Sequence, residues 1–237
     1  MAQANVTIFA AYNFEDPTNA TNFYSDSSGN GHNMPDSTGF GITSSNLAPT
    51  GGSYAFNGAG GGLFAWNVTG GSVNQATNWG LELLFKNPGS TSSTVSTEIF
   101  SVGDANINGM SILYNPATNR IEGKLNGIQA FGSATYTPGA WNSVSLVNNG
   151  TTTTLWVNYA VAATLNSNPT VPNSVWHAFV ISGGAVSYTG LADNVRVFTF
   201  TGDYTAANIS AIPEPSTYAA LAGLLAIGAV AWRRRVR

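Results

Sequence analysis

The stretch that decides the fold is WNSVSLVNNGTTTTLWVNY, residues 141–159. At its centre, residues 148–150 read Asn-Asn-Gly, and an Asn-Gly pair between two alternating segments favours the tight turn of a β-hairpin. On both sides of that turn apolar residues recur at every second position, as in a strand with one buried face. The alternating residues are Val144, Leu146, Leu155, Val157 and Tyr159. We therefore predict an antiparallel hairpin over residues 141–159.

The same two-residue period occurs in short segments along the rest of the body. Ile121, Gly123 and Leu125 alternate with charged residues, which is typical of a half-exposed strand. Further strands are predicted over residues 6–14, 53–57, 63–67, 81–85, 98–103, 110–114, 175–182 and 186–200. The residues expected on the buried face of the first segment are Ile8, Ala10, Tyr12 and Phe14. About a dozen short strands without a convincing soluble helix predict an all-β fold of two packed antiparallel sheets.

Composition indicates one domain of a secreted type, with a polar but weakly charged surface. Apolar residues make up 43% of the 237, and charged residues make up 8%, against about a quarter in ordinary globular proteins. Four of the eight basic residues lie in the last five positions, so the body is more acidic than the net charge of −3 indicates. An acidic body argues against nucleic acid as a partner. The absence of cysteine excludes disulfides, thiol catalysis and cysteine-bound metals.

Six short sequence motifs occur in the body, and their order along the chain is informative. They are YNFE at residues 12–15, DSSGNG at 26–31, YAFNG at 54–58, PGAWNSV at 138–144, TLWVN at 154–158 and GLADNVRVF at 190–198. In this order they resemble the laminin-G-like domain, a concanavalin A-like jelly roll, although Asn142 and Ser143 stand where that family has two histidines. The resemblance implies a two-sheet antiparallel jelly-roll sandwich over residues 5–200. Residues 201–212 are then expected to form a linker.

The same resemblance implies one structural calcium ion. In that family the ion is held by an N-terminal acid, a loop carbonyl and the acid of the closing strand. The corresponding positions here are Glu15, the backbone at Asn30 and Gly31, and Asp193. Oxygen ligands and an accessible carbonyl beside a glycine suit calcium, and the ion would clamp the first strand to the last. The alternative is an ordinary Asx and glycine turn, with Glu15 and Asp193 in solvent.

No catalytic residues are evident, and we expect the body to be non-enzymatic. Jelly-roll glycoside hydrolases need two carboxylates about 5 to 9 Å apart across the scissile bond. Glu82, Glu98 and Glu122 lie on separate predicted strands. His32 and His177 are the only histidines, which leaves little for a serine–histidine–acid triad. The alternative is a glycoside hydrolase-like enzyme that acts on matrix polysaccharide.

Two further patterns bear on binding. Asp193 and Arg196 are three residues apart and therefore lie on opposite faces of the predicted strand, which argues against a shared site. Six tryptophans and nine tyrosines suit stacking against sugar rings, so carbohydrate binding is the most concrete form of an adhesive or structural role. The alternative is that most of them pack in the core or at its rim. The tryptophans to which that alternative applies include Trp66, Trp79, Trp156 and Trp176.

The C-terminal stretch, residues 213–237, has the composition of a membrane element. Pro213 and Pro215 flank Glu214 and prevent a helix from running through the motif. Residues 216–232 carry no charge, and as a helix they span roughly 26 Å at about 1.5 Å per residue, close to a hydrocarbon core of about 30 Å. Arginines after the run would hold its end on the cytoplasmic side. They are Arg233, Arg234, Arg235 and Arg237.

The order of Pro-Glu-Pro, apolar helix and arginine cluster resembles the PEP-CTERM sorting tail of Gram-negative bacteria. The resemblance implies export across the inner membrane, retention by a transmembrane helix, and recognition by an exosortase, a membrane-embedded cysteine protease or transpeptidase. Pro213, Glu214 and Pro215 match the sorting motif, and the arginines match the stop signal. The alternatives are a permanent single-span anchor and an apolar helix buried in a soluble core.

At the other end, Ala2, Gln3 and Ala4 have the small-x-small form of a signal-peptidase site. We expect residues 1–4 to be the remnant of a leader and the mature chain to start near Asn5. Together these features predict an exported, non-enzymatic jelly-roll protein. It would be anchored in the inner membrane with its body in the periplasm, and displayed after processing on the cell surface or in the extracellular polysaccharide matrix.

Overall fold

The structure, a computed structural model, describes residues 4–15, 25–33, 43–45, 55–57, 65–66, 78–87, 97–104, 108–115, 117–125, 131–167, 176–178 and 190–209. Fourteen strands and a short 3-10 turn at Ala206–Asn208 occur within these ranges. The strands are β1 (Asn5–Tyr12), β2 (Thr43–Ser45), β3 (Ala55–Asn57), β4 (Ala65–Trp66), β5 (Trp79–Lys86), β6 (Thr97–Asp104), β7 (Asn108–Asn115), β8 (Arg120–Leu125), β9 (Phe131–Thr135), β10 (Asn142–Asn148), β11 (Thr153–Val157), β12 (Ala160–Leu165), β13 (Trp176–Ala178) and β14 (Leu191–Thr201). No helix in the described part of the chain is long and apolar enough to span a membrane.

Two antiparallel sheets make up the fold. The larger has eight strands in the order β12-β11-β10-β5-β14-β3-β2, and β1 pairs with β14 beyond the end of β3. The smaller has six strands in the order β4-β13-β6-β7-β8-β9. The predicted all-β, two-sheet antiparallel sandwich is therefore confirmed. The predicted C-terminal transmembrane helix falls outside the described residues.

The hairpin predicted over residues 141–159 forms as β10 and β11. Its inward-facing side chains are buried in the main core, and the facing pairs are Val144 with Val157 and Leu146 with Leu155. In the turn, the Asn149 side chain accepts a hydrogen bond from the backbone N–H of Thr152 at 2.8 Å. Gly150 has a φ of +87°, a conformation that glycine adopts without strain. Alternation and turn chemistry thus specify this hairpin together.

Strand β5 lies inside the larger sheet, between β10 and β14. Leu81, Leu83 and Phe85 alternate on its inner face and are fully buried. They share one core with Phe100 and Ile112 of the smaller sheet. Burying a side chain of this size contributes about 1.5–3 kcal/mol, so apolar contact between the two sheets is the main force that holds the sandwich together.

Strand β1 departs from the predicted alternation at Phe9. The register against β14 shifts between Ile8 and Ala10. Ala10 and Tyr12 face the main core as predicted, but Ile8 packs in a second apolar cluster around Phe198. The prediction that Ile8 shares the buried face of Ala10 is therefore wrong. The physical reason is a bulge, since one extra residue in a strand reverses the parity of those before it.

Three strands, β2, β9 and β12, have no counterpart in the sequence predictions. Strand β2 is only three residues long, and β9 and β12 are the edge strands of the smaller and the larger sheet. Half-buried and exposed side chains follow one another along both edge strands without a two-residue period. These two edges meet where Gly132 of β9 approaches Ala163 of β12. The approach closes one side of the sandwich.

Gly132 has a φ of +58°, and a Cβ atom built on it would overlap the Cβ atom of Ala163. We expect Gly132→Ala to lower the free energy of unfolding by about 1 kcal/mol for left-handed strain and by a further ~1–3 kcal/mol for forcing the two edges apart. Gly139→Ala is the matched control, because Gly139 has a φ of +74° and open space around it. Urea unfolding compares the two variants, and an equal loss in both would contradict close packing of the edges.

Candidate functional site

A bulge in β14 brings two charged residues onto the outer face of the larger sheet. Asp193 pairs with Leu84 of β5, and Arg196 pairs with Glu82, so β14 advances three residues while β5 advances two. Asn194, inside the bulge, has a φ of +47°. Because Leu84 and Glu82 share one face of β5, Asp193 and Arg196 share a face as well. The prediction that these two lie on opposite faces is wrong, since the bulge adds one residue to the alternation.

Glu82 is fully buried on this outer face. Its Oε2 atom accepts hydrogen bonds from the Arg196 guanidinium at 3.0 Å, the Ser145 hydroxyl at 3.1 Å and the Tyr204 hydroxyl at 2.9 Å. A charge without partners at this depth would cost several kcal/mol. Three donors to one oxygen explain how a carboxylate is kept between two buried leucines of β5. Sequence reasoning missed this cluster, although a lone acid between leucines is the signal that could have found it.

Tyr204 reaches Glu82 because the chain after β14 folds back over the sheet. We call residues 203–209 the C-terminal latch. The Arg196 guanidinium donates to the backbone oxygen of Asn208 at 2.6 Å, and the Asn208 side chain donates to the backbone oxygen of Ala4 at 3.0 Å. The N–H of Ala4 donates to the backbone oxygen of residue 203 at 3.0 Å. Most of the predicted linker, up to residue 209, therefore lies against the sandwich.

The phenol of Tyr204 is held in its protonated form. Burial raises its pKa well above the usual range, and the neighbouring Glu82 carboxylate raises the pKa further. The ring stacks on Phe198 with the two centroids 5.4 Å apart. Tyr204 therefore donates its hydrogen bond to Glu82 throughout the neutral pH range.

A groove of about 120 Å³ opens between the latch and the β10–β11 turn. Trp156 of β11 is half-buried there, with its ring 6.3 Å from that of Tyr204. Asn149 and Asp203 are exposed at the groove. Its lining consists of Val147, Asn149, Thr152, Thr154, Trp156, Phe200, Gly202, Asp203 and Tyr204. These described lining residues include a carboxylate and no cation, so the groove offers an indole, hydroxyls, an amide and one negative charge.

A second polar site fixes the loop after β1. The Asp26 carboxylate accepts hydrogen bonds from the backbone N–H groups of Ala11 and Ser28, both at 2.9 Å, and of His32 at 3.1 Å. Burial would raise the pKa of Asp26, but the hydrogen bonds outweigh burial and lower this pKa. The His32 ring stacks on Phe9 with centroids 4.2 Å apart. One carboxylate therefore holds residues 26–32 on the first strand.

The residues predicted to hold calcium lie near β1 and β14. Asp193 is fully buried, and Glu15 follows β1 towards the same end of the larger sheet, by the register of β1 against β14. Gly31 follows Asn30, whose amide donates to the backbone oxygen of Phe9, in the middle of β1, at 2.9 Å. Within the described ranges no three His, Cys, Asp or Glu side chains form a group that could hold a metal. The calcium site stays a prediction.

The other acids considered for catalysis lie on the smaller sheet. Glu98 is buried in β6 and accepts a hydrogen bond from the Ser101 hydroxyl at 2.7 Å. Glu122 is half-buried on β8, and His177 lies in β13. Glu82 belongs to the larger sheet, so the structure does not bring it together with Glu98 or Glu122 on one face. The sorting motif at 213–215 and the arginines at 233–235 and 237 lie outside the described residues.

Solved structures with the same architecture show which fold the described strands form. Domain 4 of AbnA, an extracellular GH43 arabinanase from Geobacillus stearothermophilus, solved in complex with arabinotriose, is similar with a TM-score of 0.61 and 17% identity, over 87% of this chain and 97% of that one. The binding domain of botulinum neurotoxin serotype D is similar with a TM-score of 0.56 and 13% identity, over 81% and 48%. The chain thus spans about half of the neurotoxin structure. These likenesses show a jelly-roll sandwich. No curated protein is similar enough in sequence to count as a relative.

The chain also carries a PEP-CTERM protein-sorting motif at residues 211–235. The match confirms the resemblance seen at Pro213, Glu214 and Pro215 and in the arginines that follow the apolar run. The motif implies recognition by an exosortase, with export and membrane-associated sorting in Gram-negative bacteria. A jelly-roll sandwich followed by this sorting motif is thus what the sequence encodes.

Asp26→Asn tests the role of the carboxylate in the β1 loop. The amide cannot accept from all three N–H groups, so we expect the free energy of unfolding at neutral pH to fall by about 1–3 kcal/mol. The pKa of Asp26 in the folded state lies below its ordinary value of 3.8. The wild type should therefore have the higher free energy of unfolding above pH 3.8, and this difference should be lost as the pH falls through the lowered pKa.

Urea unfolding of both proteins from about pH 7 down to about pH 2 measures this difference. Asp203→Asn is the control, because that side chain is exposed. If the difference in free energy of unfolding between the wild type and Asp26→Asn stays constant in acid, the charge at Asp26 is not what stabilises the fold.

Proposed function

We propose that the protein is exported under its PEP-CTERM motif and acts at the cell surface or in the extracellular matrix as a non-enzymatic sandwich that binds polysaccharide. The match at residues 211–235 supports export. The observation that carries the binding role is the groove at Trp156. Adhesion to matrix glycan then follows from binding, and needs no chemistry on the glycan.

The groove has the chemistry of a sugar-binding surface. An indole presents an apolar face to the C–H groups of a sugar ring, and a few placed polar groups orient the ligand. Trp156 supplies the indole, and the exposed Asp203 supplies a carboxylate acceptor for sugar hydroxyls. Because a carboxylate faces the groove and like charges repel, we propose a neutral polysaccharide in preference to an acidic one. The arabinotriose complex of the AbnA domain is a precedent for an oligosaccharide on this fold.

Membrane anchoring belongs to the same proposal. The apolar run at residues 216–232 would cross the inner membrane, and the arginines at 233–235 and 237 would keep its end in the cytoplasm. The sandwich would then stand in the periplasm until the exosortase has acted. Transfer to the cell surface or the matrix would follow processing.

The burial and hydrogen bonding of Glu82 support the non-enzymatic role. Its carboxylate is fully buried and accepts three hydrogen bonds from protein groups, so it is not free to meet a substrate. The alternative, a hydrolase of matrix polysaccharide, needs two accessible acids facing one bond. Assaying the full-length protein for new reducing ends on each glycan that it retains separates the two roles. Release of reducing ends would overturn the non-enzymatic assignment.

We also propose one structural calcium ion held by Glu15, the Gly31 backbone and Asp193. The position of both acids near one end of the β1–β14 pair supports it. An ion that binds only the folded state raises its stability, so a chelator should lower the melting temperature of the wild type and leave that of Glu15→Gln unchanged. If the wild type has the same melting temperature with and without chelator, the proposed calcium site is contradicted.

Trp156→Ala removes the proposed stacking face. We expect the affinity for a neutral polysaccharide to fall about tenfold, which corresponds to about 1.4 kcal/mol. Tyr159→Ala is the matched control, because Tyr159 is an exposed aromatic on the neighbouring β11–β12 turn. It should bind as the wild type does.

Full-length protein in detergent micelles is first applied to an array of neutral and acidic glycans, and each retained glycan is then titrated by calorimetry. Melting curves check that both variants fold. Retention of no neutral glycan, or equal affinity in the wild type and Trp156→Ala, would contradict binding at the groove.

A further inference from the structure

The C-terminal latch ends very close to the sorting motif. Ile209, its last residue, is buried with a relative exposure of 6%. Only residues 210–212 separate it from Pro213. Since an extended chain advances at most about 3.3–3.6 Å per residue, Pro213 lies within roughly 14 Å of Ile209 whatever path the chain takes. A closed latch therefore keeps the Pro-Glu-Pro motif beside the folded body.

The latch rests on parts of the chain that are far apart in sequence. Tyr204 bonds to Glu82 of β5, and the backbone oxygen of Asn208 accepts from Arg196 of β14. Both contacts are independent of residues 1–4, which are expected to belong to a leader. These partners come together only when the larger sheet has formed. Closure of the latch therefore depends on a folded sandwich.

Opening the latch would change the reach of the motif considerably. Release of its seven residues, 203–209, adds roughly 23–25 Å of extended chain at about 3.3–3.6 Å per residue. The Glu82 carboxylate would lose one of its three donors at the same time, so the closed form is the favoured one. The two forms thus present the same motif at very different distances from a bulky domain.

We propose that the latch restrains the exosortase by controlling this distance. The inference rests on exosortase-dependent sorting. A membrane-embedded enzyme must take the motif into its site, and a sandwich held within roughly 14 Å of that motif obstructs the approach. Processing is then slow while the latch is closed, and it accelerates when the latch opens or when the link to the motif is lengthened. The folded sandwich thus affects how easily the exosortase binds the motif.

Two variants of the full-length chain test the proposal. Tyr204→Phe combined with Asn208→Ala removes the hydroxyl that bonds to Glu82 and the amide oxygen that accepts from the Thr205 N–H at 3.0 Å. A flexible Gly-Ser insertion of about six residues after Ile209 adds roughly 20 Å of reach and leaves every latch contact in place. The control is the same insertion after Thr118, in the exposed β7–β8 turn, which adds length far from the tail.

Each protein is co-expressed with an exosortase in a Gram-negative host, and loss of the tail is followed by pulse-chase and mass spectrometry. We expect both test variants to lose the tail at least about threefold faster than the wild type, because the rate follows the fraction of chains whose motif is accessible. The Thr118 insertion should match the wild type. An insertion after Ile209 that leaves the rate unchanged, or slows it, overturns the proposal even if the latch variant folds poorly. Absence of processing in every protein would overturn exosortase-dependent sorting itself, and the latch proposal with it.

Discussion

The interaction on which the outer face of the larger sheet depends is that of the buried Glu82 carboxylate with its hydrogen-bond donors. A charge in that position is tolerated only when donors surround it, and its donors come from three separate parts of the chain. The bulge in β14 turns Arg196 towards it, β10 supplies Ser145, and the chain after β14 folds back to supply Tyr204. The bond from Tyr204 to this carboxylate is one of the contacts that hold the latch against the sheet, and the groove lies beside that latch.

Sequence patterns predicted the elements in which burial alternates without interruption. Strands β8 and β11 are examples, because each buries every second residue. The patterns failed at Ile8 and at the pair of Asp193 and Arg196, where one extra residue reverses the parity. A bulge leaves no mark on composition or hydropathy. It appears only when a neighbouring strand fixes the register.

Functional features were likewise predictable where their residues are continuous in sequence, and not where the fold brings them together. The sorting motif is continuous in sequence, so Pro213, Glu214 and Pro215 identified it directly, and residues 211–235 match the known motif. The groove is discontinuous: Trp156 and Asp203 come from β11 and from the latch, and only the folded sheet brings them together. The tryptophan count predicted sugar stacking in general, but it could not distinguish Trp156 from the tryptophans of the core. The calcium residues and the membrane helix stay predictions.

The proposed route takes the folded sandwich out of the cytoplasm and sorts it by the motif at residues 211–235, which begins two residues after the latch ends. The most direct test is the mass of the mature protein's C-terminal peptide, isolated from surface and membrane fractions of the native host. Processing by an exosortase predicts a chain that retains Ile209 and has lost the arginines at its end. An intact chain ending in Arg237, recovered from the cytosol, would contradict it.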